Sequence, residues 1–210
     1  MGRPVALVLV VAAALALSAC TSAPAAVPAS SPPEPAPSHD ILVHTIADAV
    51  DEELRDELLQ LLEEDQAERL EGANFGGDAP RTERLAEIIA EHGWPGYSLV
   101  GEEAEDAAWA VAQHSDHDVD FQKTALQSLT AAVEAGDASP GNLAYLTDRI
   151  AVNDGTDQTY GTQIACTEDG PQPVVPIADE ASVDERRADA SLPPLADYYA
   201  EMEAICSEGP

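Results

Sequence analysis

Apolar residues recur at helical spacing through most of the chain beyond residue 40, and no other feature restricts the fold as strongly. Ile46, Val50, Leu54, Leu58, Leu61 and Leu62 form one stripe, which predicts a long helix ending near Gly72. Pro80 stands in the first turn of a second helix that carries Leu85, Ile88 and Ile89 and is closed by Gly93, as a glycine just past a helix end does. Trp94-Pro95-Gly96 is a turn, and a third helix from about Glu102 to Ser115 directs Ala104, Ala107, Ala108 and Val111 inward. A fourth spans Asp118 to Ala135 and stops at Gly136. Ser139-Pro140 opens a fifth, an N-cap followed by proline at the first helical position, and this helix ends before Gly155. Aromatic residues make up only 4% of the chain, so the core must consist of small aliphatic side chains at helix interfaces.

The texture changes after Gly155. Thr159 to Cys166 and Gln172 to Ile177 flank Glu168-Asp169-Gly170-Pro171, which reads as a turn between two short strands. Ser182-Val183-Asp184-Glu185 reads as a capping box opening a short helix. Pro193-Pro194 breaks that helix, and Leu195 to Cys206 forms the last one. The expected fold is mainly α: a multi-helix bundle with a short two-stranded β insertion near residues 159–177.

The front of the chain is organised differently. Arg3 precedes an unbroken apolar run from Val5 to Leu17, too short for a bilayer-spanning helix, which needs about 20 residues. It reads as a secretory signal. Its end, Leu17-Ser18-Ala19-Cys20, resembles the bacterial lipoprotein box, in which the cysteine is lipidated and becomes the mature N-terminus. A diacylglyceryl group supplies two acyl chains, which is what stable anchoring takes. Thr21 to Ser38 is rich in Pro, Ala and Ser and lacks hydrophobic periodicity; as polyproline II it reaches roughly 55 Å. The expected organisation is a signal peptide over 1–19, a lipidated Cys20 with a tether over 20–39, and one helical domain over 40–210. The expected location is extracytoplasmic, lipid-anchored to the cell membrane. In that compartment disulfides persist, and Cys166 is expected to pair with Cys206, the alternative being two buried thiols.

Forty acidic residues against nine basic ones give a net charge of −31. Nucleic acid and anionic membrane surfaces require a positive face, so neither is an expected partner. The remaining partner is a small ligand or peptide.

Candidate site residues are the polar groups that continue apolar stripes. Asp65 and Arg69 follow Leu58, Leu61 and Leu62; His114 follows Ala107 and Val111; Gln122 precedes Leu126, Leu129 and Val133. All lie near helix ends, where they can meet at one end of a bundle. Buried charges and amides must be paired, so these residues form either a structural network or the lining of a cleft. His114, Asp116, His117, Asp118 and Asp120 cluster, but their spacing matches no strong zinc signature. No metal or cofactor is expected, and His117 reads as a surface residue. Tyr145 and Arg149, one turn apart, are placed for a cation–π pair. Arg149, Arg186 and Arg187 read as a candidate anion-binding patch, whereas Arg81, Arg84 and Lys123 read as neutralising local acidity. Gln158-Thr159-Tyr160-Gly161-Thr162-Gln163 places one glycine among many hydrogen-bonding groups, where it permits close backbone approach by a ligand or another segment.

Taken in order, Gly93-Trp94-Pro95, Gln113-His114-Ser115-Asp116, Phe121-Gln122, Ala144-Tyr145-Leu146-Thr147-Asp148-Arg149 and Tyr160-Gly161-Thr162-Gln163 resemble a widespread bacterial family of uncharacterised domains. Asp65-Gln66 with Arg69, Val183-Asp184, Arg186-Arg187 and Leu192-Pro193-Pro194-Leu195 extend the resemblance from about Leu54 to Met202. The resemblance implies that these polar residues belong to a family pattern, and it brings no reaction, substrate or cofactor. Three functional readings follow. The first is a lipoprotein binding a small ligand or peptide through Asp65, Arg69, Gln122, Asp148, Arg149, Tyr160 and Gln163. The second is an envelope hydrolase or lyase with His114 as catalytic general base. The third is a non-catalytic scaffold module.

Overall fold

The computed structural model describes residues 50–72 and 75–208. The expected signal peptide, Cys20, the tether and the Ile46 turn of the first helix lie outside the described residues. Among those residues the helices are α1 (Glu52–Gly72), α2 (Asp78–His92), α3 (Tyr97–Val100), α4 (Glu102–Gln113), α5 (Val119–Glu134), α6 (Pro140–Asp154), α7 (Val183–Asp189) and α8 (Leu195–Glu208). Strands β1 (Ile164–Thr167) and β2 (Gly170–Pro173) form one antiparallel hairpin. The fold is mainly helical with a small two-stranded sheet, as the sequence periodicity requires.

Local chemistry fixes the helix ends. Ser139 accepts from the Asn142 amide at 3.1 Å with Pro140 just behind it, and Gly155 ends α6 at φ 68°. Asp118 caps α5 through the Phe121 amide at 2.9 Å. Four-residue α3 is too short to show a period. The anticipated capping box is absent: Ser182 makes no capping bond, because its hydroxyl turns back to Asp179 and also accepts from Arg186. The strands are shorter than expected, and Gly170 and Pro171 belong to β2 rather than to the turn; Thr167 pairs with Gly170 across Glu168-Asp169.

Helix α4 occupies the middle, packed by α1, α2, α5 and α6. Ala104, Ala107, Ala108 and Ala112 are wholly buried, and methyl-sized side chains let neighbouring helices approach it from several sides. Leu54 and Leu58 from α1, Leu85 and Ile88 from α2, Leu129 from α5 and Leu146 from α6 complete the core. One carboxylate lies inside this layer. Glu105 accepts from the Trp94 indole at 3.0 Å and from Asn142 at 3.1 Å, and burial, with Asp106 nearby, pushes its pKa up to about 7 against those two bonds.

The hairpin is held from outside the bundle. A disulfide joins Cys166 in β1 to Cys206 in α8, with Cα atoms 5.4 Å apart. On the chain-entropy model a ring of this length stabilises by about 4 kcal/mol.

Candidate functional site

Asp65 continues the Leu54–Leu58 stripe into the interior and is completely buried. Its carboxylate accepts from Arg69 Nη2 at 2.9 Å, from Arg69 Nε at 3.1 Å, from Gln66 at 2.9 Å and from His114 Nδ1 at 2.9 Å. Burial alone would raise its pKa, but the bonds from His114 and Arg69 prevail and hold it at about 2. Asp65 is therefore an acceptor only. His114 Nδ1 also lies 3.1 Å from Arg69 Nε, so Asp65 and Arg69 together fix the ring through that nitrogen and leave Nε2 as the second one. Nε2 makes no hydrogen bond among the described residues.

His114 is the residue that ends α4, so its ring emerges where α4 gives way to the loop leading to α5. It lines a cleft of about 380 Å³ together with Arg69, Asp78, Asp116, His117 and Arg149. Every one of these side chains is ionisable. The cleft lies where the last turns of α1 and α4 meet the first turn of α2 and the second half of α6.

Each cation in the wall is matched. Arg69 bridges Asp65 and Asp78, the latter at 3.0 Å. Arg149 Nε reaches Asp116 Oδ1 at 2.8 Å, and its Nη2 meets Asp116 Oδ2. Asp116 Oδ1 also accepts from Asn153 at 2.9 Å and Gln122 at 3.4 Å. Burial works against the ionised form here too, and the Arg149 and Asn153 bonds keep Asp116 below the usual carboxylate range. Behind this wall, buried Gln122 binds the Ala112 and Gln113 carbonyls at 3.2 and 3.4 Å and receives Asn153 at 2.9 Å. It supports the cleft from the second layer. Gln163, also buried, lies 3.4 Å from Arg149 Nη1.

The structure thus brings together Asp65, Arg69, His114, Gln122, Arg149 and Gln163. Asp148 and Tyr160 stand apart from the cleft wall. Asp148, fully buried on α6, accepts from the Thr159, Tyr160 and Thr162 amides and the Thr162 hydroxyl at 2.7–3.2 Å. It thereby shapes the loop that delivers Gln163. Gly161 in that loop adopts φ 68°, and a Cβ there would lie 2.5 Å from the Ile177 side chain; the close approach is by the chain itself.

Two pairings differ from expectation. Tyr145 meets Trp109 and Tyr198 edge-on rather than stacking with Arg149, because Arg149 turns to Asp116. The anion patch does not form either. Arg186 binds the Thr159 and Ala178 carbonyls, while fully buried Arg187 binds the Pro193 and Tyr160 carbonyls at 2.7 and 2.8 Å and lies over the Tyr198 ring. These arginines stitch α7 to the loop.

Sequence reasoning missed Asp78 and Arg81. Arg81 is almost wholly buried and binds Asp78 at 2.8 Å and Glu68 at 3.0 Å; Asp78 is the residue that joins Arg69 to Arg81. The one available signal was an acidic group in a first helical turn with an arginine three residues on. A second depression, about 530 Å³ along α1, is lined by residues of that helix alone and offers no cation. No group of three or more His, Cys, Asp or Glu side chains placed to hold a metal ion occurs among the described residues. No described helix is long and apolar enough to cross a membrane.

The fold and its cleft define a class: a mainly helical domain in which one cluster of ionisable side chains is held by buried partners. The chain belongs to DUF6624, a family of unknown function whose model matches residues 40–207. No curated protein and no solved structure matches it.

Proposed function

We propose that this chain is a lipid-anchored extracytoplasmic protein that binds a small polar ligand in the cleft around His114. One observation carries the binding reading. A buried carboxylate fixes His114 through Nδ1, and the ring lines an open cleft with Nε2 unbonded among the described residues. The all-ionisable wall excludes an apolar ligand, since any apolar group entering it would strip water from charged side chains without replacing it. Lipid anchoring rests on the Leu17-Ser18-Ala19-Cys20 box and the tether behind it.

The test is His114→Ala in the full-length chain, screened against small polar ligands by thermal shift. The expected result is loss of any ligand-induced shift, together with a fall in melting temperature matching about 1–3 kcal/mol because buried Asp65 loses one of its partners. A ligand response left intact in the variant would refute the reading. Anchoring is tested by fatty-acid labelling, which Cys20→Ala should abolish.

The same geometry favours a second reading, an envelope hydrolase or lyase. A carboxylate holding Nδ1–H prepares Nε2 to accept a proton, so His114 would be the general base and Asp65 its positioning residue. Turnover of a substrate that is lost in His114→Ala would select this reading over simple binding.

A further inference from the structure

We infer that the ligand of this cleft is a zwitterion, an amino acid or short peptide whose ammonium and carboxylate are both recognised. The inference rests on the binding reading above and narrows its ligand class. It follows from what the wall offers once its internal bonds are subtracted. Asp78 Oδ1 accepts from Arg69 and Arg81, whereas Asp78 Oδ2 has no hydrogen bond among the described residues. Asp116 Oδ1 accepts from Arg149, Asn153 and Gln122, but Oδ2 accepts from Arg149 alone. His114 Nε2 is a further lining atom with no hydrogen bond among the described residues.

An ammonium group has three N–H donors and no acceptor, which complements the carboxylate oxygens Asp78 Oδ2 and Asp116 Oδ2 in the lining. The surrounding acidity of the chain, −31 overall, favours a cationic group there as well. A purely cationic ligand would leave one edge of Arg149 unanswered. Arg149 Nε and Nη2 are engaged by Asp116, but Nη1 reaches only Gln163, at 3.4 Å. That edge of a planar guanidinium is suited to a carboxylate. A volume of about 380 Å³ equals about a dozen waters at roughly 30 Å³ each, which accommodates an amino acid or dipeptide and excludes a long peptide as a fully enclosed guest.

The experiment titrates the purified full-length chain by calorimetry with L-alanyl-L-alanine, its N-acetyl derivative and its C-terminal amide. These three probes differ only in which charge they carry. The zwitterion is expected to bind at least tenfold tighter than either single-charge form, and Asp78→Asn to weaken the dipeptide and the amide tenfold while leaving the N-acetyl form unchanged. Because the probe series needs no variant, the outcome survives a poorly folding Asp78→Asn. Equal or tighter binding of the N-acetyl form, lost in His114→Ala, overturns the zwitterion while the cleft reading stands. Equal binding of the amide overturns the carboxylate half and with it the inference. Binding that persists in His114→Ala lies elsewhere and overturns both readings, and failure of all three probes to bind at millimolar concentration overturns the inference.

Discussion

Glu105 makes the stability of this domain depend on pH in a range where most of its carboxylates no longer titrate. The side chain is completely buried among core alanines and accepts from two neutral donors, Trp94 and Asn142. Burial raises its pKa from 4.5 to about 7. A folded-state pKa above the unfolded value means that the native state binds the proton more tightly. The stabilisation is fully present below pH 4.5 and is lost as pH rises through 7. Between pH 5 and pH 8 the linkage relation gives a loss of about 2.5 kcal/mol for a shift of this size, at about 1.36 kcal/mol per pKa unit. The assay is urea unfolding of the full-length chain at pH 5, 6, 7 and 8 at fixed ionic strength, comparing wild type with Glu105→Gln. Glutamine cannot titrate and retains one acceptor for the two donors, so its absolute stability is secondary; the slope carries the information. The wild-type curve should fall by about 2 kcal/mol more than that of the variant across this range. Parallel curves would refute the argument, because they would show that Glu105 keeps the same proton affinity folded and unfolded.

Other perturbations follow from the same contacts. Asp65→Asn should cost about 3 kcal/mol in chemical unfolding, the size expected when one member of a buried ion pair is removed, and should change the ring 15N shifts of His114, whose Nδ1 it contacts at 2.9 Å. Since Asp65 is held at about 2, its contribution is present above pH 3.8 and lost as pH falls toward 2; acid unfolding in that window should flatten in Asp65→Asn. Reducing the Cys166–Cys206 bond should lower stability by at most about 4 kcal/mol, checked by unfolding with and without reductant alongside thiol counting. Gly161→Ala should destabilise by about 2 kcal/mol, since it combines a left-handed backbone with a Cβ 2.5 Å from Ile177; retention of wild-type melting would show that the loop is free to move.

The helical part of this fold was legible because its signals are local. Gly93, Ser139-Pro140 and Gly155 mark helix ends through backbone geometry that a few consecutive residues determine. The hairpin was legible only as a hairpin: two-residue turns and pairing register depend on the partner strand, and Gly170 served equally well as turn or strand. Ser182 illustrates competition among local bonds, since its hydroxyl had a cap position and an Asp179 carboxylate within reach and took the carboxylate. At the site, stripes that end in a polar residue pointed to Asp65, Arg69, His114 and Gln122, which the fold brings close together. Their partners are distant in sequence: Asp65 and His114 are 49 residues apart, and Arg149 and Asp116 are 33 apart. No spacing rule joins such pairs, which is why Arg149 was matched with the nearer Tyr145 and why the buried Arg81 resembled any surface arginine. Asp148 continued no stripe, and its role in shaping the Thr159–Thr162 loop became visible only once the loop was folded back on it.

The bond between Cys166 and Cys206 also changes what damage to this protein means. The backbone from Cys166 to Cys206, including both arginines of α7 and the two prolines before α8, forms a closed ring with the sulfur bridge. A protease cutting any one peptide bond in that ring opens a circle and severs nothing: both fragments remain one molecule. The last helix therefore cannot be shed by a single cut between the two cysteines. A single cut there releases it only when the bridge is also reduced, two events of different chemistry.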